Sequence, residues 1–150
     1  MILQQGQVMC VDGDQHSVAQ TCHRLLLIED SDDIQTVVRL GLELIAGVEV
    51  IGAKVNDDWL SVVHVKTIDL ILVDEPSHRD NILLELQRDP IAKLTPTICI
   101  VPRNRHQDQA KALQQGASAV IAKPFDLVVM ASIISEILSR PSQFSASTDN

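Results

Sequence analysis

Five short aliphatic runs recur along the chain, each followed by a longer, more polar stretch. That alternation restricts the fold more than any other feature. The runs are Leu25 to Ile28, Val48 to Ala53, Ile68 to Val73, Thr97 to Val101 and Ala119 to Ala122. Short runs of β-branched and aliphatic residues, bounded by polar segments, read as strands buried on both faces. The stretches between them read as helices near residues 32–46, 57–66, 81–88, 104–115 and 127–138. Ser31 is placed to cap the first helix, with Asp32 and Asp33 in its first turn, and Gly47 to end it. In the fourth helix Ala110 and Leu113 are expected to face inward. A strand–helix unit repeated five times implies an α/β fold: a five-stranded parallel sheet with helices on both faces.

A parallel sheet brings all its carboxyl ends to one edge, and ligand chemistry in open α/β sheets gathers there. Three of the five ends carry ionisable residues: Glu29 and Asp30 after the first strand, Asp74 at the end of the third, and Lys123 after the fifth. Carboxylates converging from two strand ends make a hard-oxygen site suited to Mg²⁺. The cation would offset the repulsion that otherwise raises carboxylate pKa values. An aspartate in such a site is able to attack a phosphoryl group and carry it as an acyl phosphate. A neighbouring lysine supplies positive charge for the phosphoryl oxygens.

The formal net charge of -8 disfavours nucleic acid as a direct partner, because phosphate binding needs clustered Lys and Arg. Only Trp59, Phe125 and Phe144 are aromatic, so platforms for stacking bases are missing. Cys10, Cys22 and Cys99 are too widely spaced for a metal-type pair, and Cys99 reads as a core residue. No apolar run is long enough to span a membrane, and no signal peptide is evident. A cytoplasmic protein is the expectation.

Taken together, these residues resemble the receiver domains of two-component response regulators. Leu26-Leu27-Ile28-Glu29-Asp30 is similar to their first strand with its acidic pair. Asp69-Leu70-Ile71-Leu72-Val73-Asp74 is similar to the strand whose last Asp accepts the phosphoryl group. Gln115-Gly116-Ala117-Ser118-Ala119 with Ala122-Lys123-Pro124-Phe125 resembles the stretch carrying their lysine, usually followed by a cis proline. The resemblance covers about residues 24 to 139 and implies the flavodoxin-like (βα)5 receiver fold. It also implies direct Mg²⁺ contacts from Asp30 and Asp74, a water-mediated one from Glu29, and a backbone carbonyl ligand from Pro76. The implied phosphoryl donor is a phosphohistidine on a sensor histidine kinase or phosphotransfer protein.

Two departures bear on output. Where the family usually has Ser or Thr at the end of the fourth strand, this chain has Val101, and the switch aromatic of the fifth strand falls on Val120. Valine is nearly isosteric with threonine but donates no hydrogen bond. The loop after Asp74 also lacks the usual pattern, and its His78 and Arg79 lie close enough in sequence to reach a phosphoryl group.

The reading is therefore a stand-alone receiver, not an enzyme, that is phosphorylated on Asp74 and signals by binding partner proteins. Residues 1–23 are expected to form an N-terminal arm and 140–150 a flexible tail. The last helix carries more apolar residues than one face needs, which suits a downstream partner or a homodimer. The alternative is a pseudo-receiver that keeps the fold and never cycles through phosphate. A phosphatase of the haloacid dehalogenase type is disfavoured because Pro76 stands where its second Asp would be. A flavodoxin-type cofactor binder is disfavoured because no phosphate-cradling loop follows Ile28.

Overall fold

The computed structural model of the protein describes residues 22–74 and 82–140. Its strands are β1 (Arg24–Ile28), β2 (Glu49–Ala53), β3 (Leu70–Asp74), β4 (Thr97–Pro102) and β5 (Ala119–Lys123). The helices are α1 (Asp32–Ala46), α2 (Trp59–Val65), α3 (Ile82–Arg88), α4 (His106–Gln114) and α5 (Leu127–Leu138), with a 3-10 turn at Ala92–Leu94. All pairings are parallel, in the order β2-β1-β3-β4-β5. The α/β alternation read from the sequence is thus the observed architecture.

The central strands β1, β3 and β4 are buried on both faces because they are apolar at nearly every position. Leu25, Leu27, Leu70, Leu72, Ile98 and Ile100 face one way, against Val38 and Leu42 of α1 and Met130 and Ile134 of α5. Leu26, Ile28, Ile71 and Val73 face the other way, against Trp59 and Val63 of α2 and Ile82 and Leu86 of α3. Cys99 and Val101 continue that second face under α4, with Leu83, Ala112 and Ala117. Each fully buried aliphatic side chain contributes about 1.5–3 kcal/mol of transfer free energy, so these layers dominate stability.

Local signals act as expected at α1. The Ser31 hydroxyl accepts the Ile34 N–H at 3.3 Å, and Gly47 takes the left-handed conformation at φ 68° that ends the helix. In α4 the inward residue is Ala112; Ala110 and Leu113 face solvent. The helix starts at His106, two residues later than expected.

The apolar surplus of α5 is also smaller than the sequence suggests. Leu127, Ile133 and Leu138 pack against the core, and Val128 and Val129 are left exposed. More exposed apolar surface lies on α1, at Ile34, Val37, Leu40, Leu44 and Ile45. The proposed arm up to residue 21, the loop 75–81 and the tail from 141 lie outside the described residues. Among the described residues no helix is long and apolar enough to cross a membrane.

Candidate functional site

In this strand order the direction of winding reverses between β1 and β3, and such a point opens a crevice at the carboxyl ends of the strands. Glu29 and Asp30 leave β1 on one side of that crevice, and Asp74 closes β3 on the other. Lys123 ends β5, two strands away, and is long enough to reach back.

It does reach. Lys123 Nζ donates to Asp74 Oδ1 at 2.8 Å, across 49 residues of sequence. Asp74 is only 7% exposed and Lys123 about a third exposed, so the charge-assisted bond is buried at its acidic end. The Lys123–Pro124 peptide is cis, as the resemblance implied.

Glu29 is 5% exposed. Its Oε2 accepts the Ser31 N–H at 2.9 Å, whereas Oε1 is buried without a hydrogen-bond partner. Burial chiefly, then the facing Asp74 carboxylate, pushes the Glu29 pKa up to about 7, against the lowering pull of the Ser31 N–H and Lys123. A buried carboxyl with an orphan oxygen beside a second carboxylate needs either a proton or a cation.

Asp30 behaves differently. It is exposed, and its Oδ1 accepts the Val55 N–H at 2.7 Å, tying the β1 end to the loop after β2. Val55 in turn accepts the indole N–H of Trp59 through its carbonyl, at 3.0 Å. Among the described residues no three His, Cys, Asp or Glu side chains are grouped closely enough to hold a metal ion. The structure therefore joins Glu29, Asp74 and Lys123 and holds Asp30 aside. Pro76, with His78 and Arg79, lies outside the described residues.

The donor set still fits Mg²⁺. The cation takes one or two carboxylates and keeps its remaining positions for water and phosphate oxygens. Glu29 Oε1 is the oxygen here that lacks a donor, and Asp74 faces it. Asp30 would join by exchanging the Val55 N–H for the cation.

Val101 is 4% exposed and packs with Leu83, Cys99, Ala112 and Ala117, with Val120 against the same cluster. Both positions where the family carries its switch groups thus belong to one apolar patch beneath α4, with Val120 partly buried at its margin.

Sequence reasoning missed the Ser31 and Val55 backbone donors, which no residue type announces. It also missed Gln35, whose amide lies over Gly52 and bonds two strand ends. A glycine inside a strand signals close approach by another group, and Gly52 was that signal. A cavity of about 400 Å³ opens at the opposite edge of the sheet, lined by His23, Asp69, Thr95, Ser118 and Leu138 among others. It is remote from the carboxylates and plays no part in this chemistry.

No protein-family profile matches the chain. It is 30% identical over 122 residues to the transcriptional activator protein IrlR of Burkholderia pseudomallei, in strains 1026b and K96243. That match covers 78% of this chain and 51% of IrlR, so the chain spans about half the length of the curated relatives it matches. A putative response regulator from Chloroflexus aurantiacus superposes with TM-score 0.72 at 23% identity, over 80% of this chain and all of that one (100%). The chemotaxis response regulator CheY4 of Vibrio cholerae superposes with TM-score 0.69 at 20% identity, over 78% of this chain and 99% of its own. The chain therefore has the receiver-domain fold of two-component response regulators.

Proposed function

We propose that the chain works as a response-regulator receiver that accepts a phosphoryl group on Asp74 from a phosphohistidine donor. The observation that carries this reading is the buried Asp74 carboxylate, bonded to Lys123 at 2.8 Å and faced by a Glu29 oxygen with no donor of its own. In the step itself an Asp74 oxygen forms the new O–P bond as the P–N bond to the donor imidazole breaks, and the imidazole nitrogen keeps the electron pair and takes up a proton. Lys123 offsets the charge gathered on the phosphoryl oxygens. Glu29 and Asp74, with Asp30 once released from Val55, would hold Mg²⁺, which supplies charge neutralisation for carboxylates and phosphate alike. The Pro76 carbonyl is the further protein ligand in this reading.

The donor is a sensor histidine kinase or a phosphotransfer protein, and the output is binding of a downstream protein in the cytoplasm. The domain is a signalling module rather than an enzyme that turns over a free substrate. Its bounds in this reading are residues 24–139, between an arm of 23 residues and a tail from Arg140.

The test is chemical. After incubation with MgCl₂ and acetyl phosphate, the peptide containing Asp74 is expected to carry a hydroxylamine-labile phosphate. A label on a hydroxyl side chain would contradict the reading. The apolar patch around Val101 and Val120 favours a second reading, a pseudo-receiver that binds partners without phosphate.

A further inference from the structure

The acidic pair needs its backbone held still, because Glu29 is the first residue beyond β1 and the ladder stops there. One backbone group of Glu29 is satisfied by the sheet: its N–H donates to the Ala53 carbonyl at 2.9 Å. The other is satisfied by a side chain. Gln35 Nε2 donates to the Glu29 carbonyl at 3.0 Å and to the Ala53 carbonyl at 3.2 Å. Only the NH₂ end of the amide offers two donors to two carbonyls, which fixes its orientation. Gln35 projects from the first turn of α1, so one side chain binds helix, β1 end and β2 end together.

It does so through a gap. A Cβ placed on Gly52 would collide with Gln35 Oε1 and Cδ, so the missing side chain is what admits the amide. Gln35 touches neither Asp74 nor Lys123 through any hydrogen bond found among the described residues.

We propose that Gln35 is a positioning residue for the acidic pair, setting where Glu29 and Asp30 present their carboxylates to a divalent cation. The inference rests on the phosphoryl-acceptor reading above. Its mark is a split response. Loss of Gln35 weakens the site's hold on Mg²⁺ and leaves the Asp74–Lys123 pair, and hence the rate at saturating Mg²⁺, nearly unchanged.

The experiment measures Asp74 phosphorylation by acetyl phosphate as a function of MgCl₂, with Mg²⁺ binding followed separately by isothermal titration calorimetry. Wild type, Gln35→Ala and Gly52→Ala are compared, the last displacing the amide without altering it. Removal of hydrogen bonds of this kind is expected to raise the half-saturating Mg²⁺ about 3–10-fold in Gln35→Ala, with a smaller rise in Gly52→Ala. The saturated rate should stay near wild type in both. An unchanged Mg²⁺ affinity in Gln35→Ala overturns the inference alone, as does a fall in saturated rate equal to the loss of affinity, which would mark general distortion. A wild-type protein that binds no Mg²⁺ overturns the acceptor reading and this inference with it.

Discussion

Glu29 carries an unusual burden for one residue, since its carboxyl is buried, raised to about 7 and half-satisfied. Its folded-state pKa lies above its unfolded value, so between pH 4.5 and 7 the native state holds more protons than the unfolded state. Without divalent cation, stability should therefore fall as pH rises through that window. Glu29→Gln should flatten the slope and raise Tm at pH 7.5 by roughly 3–8 °C, as read by calorimetry. A slope of the opposite sign in wild type would contradict the buried geometry. Val101 invites a complementary test. Val101→Thr places a hydroxyl in the apolar cluster of Leu83, Cys99, Ala112 and Ala117. The expected cost is about 1–3 kcal/mol in denaturant unfolding. A neutral result would mean that a backbone carbonyl accepts the new hydroxyl.

Elements in this fold are tied by a few specific bonds laid over continuous apolar packing. α2 is fastened to the segment after α3 by His64 Nε2, which meets Asp89 Oδ1 at 2.8 Å, while Asp89 also accepts the Ile91 N–H at 3.1 Å. The His64 bond chiefly holds the Asp89 pKa below the usual carboxylate range. A depressed carboxylate stabilises the fold above its unfolded pKa, and that stability is lost as pH falls through the folded one. His64→Ala should lower Tm at neutral pH and shrink the acid-side slope, measured by thermal melts from pH 2 to 7. No change in slope would show that the pair is incidental. On the other side of α2, Asp30, Val55 and Trp59 form a hydrogen-bonded chain from the acidic pair to the protein's one tryptophan. If Asp30 leaves Val55 for a cation, the loop holding Trp59 is freed, and indole emission should shift on adding MgCl₂. Asp30→Asn should weaken that response, and a full response in the variant would contradict the link.

At the scale of the molecule, the architecture was legible because every strand is apolar at nearly every position and every break carries a turn or cap residue. Ser31, Gly47 and the β-α period sufficed for α1 and the strand count. Glu29, Asp74 and Lys123 were legible for a topological reason: parallel strands bring their ends to one edge, so residues 45 and 49 apart in sequence meet. What escaped was set by orientation rather than composition. In α4, which is short and mostly polar, Ala112 rather than the larger Leu113 faces inward. Asp30 and Glu29 are neighbouring acids, yet Asp30 is exposed and accepts the Val55 N–H, whereas Glu29 is buried.

The central claim is that the buried Asp74 carboxylate is a phosphoryl acceptor, and intact mass spectrometry tests it most directly. The folded chain and Asp74→Asn are each incubated with MgCl₂ and acetyl phosphate. A single labile phosphate adduct on the wild-type chain, absent from Asp74→Asn and from samples with chelator, is the predicted result. A folded wild-type protein that gains no adduct, or an adduct that survives in Asp74→Asn, would contradict the account.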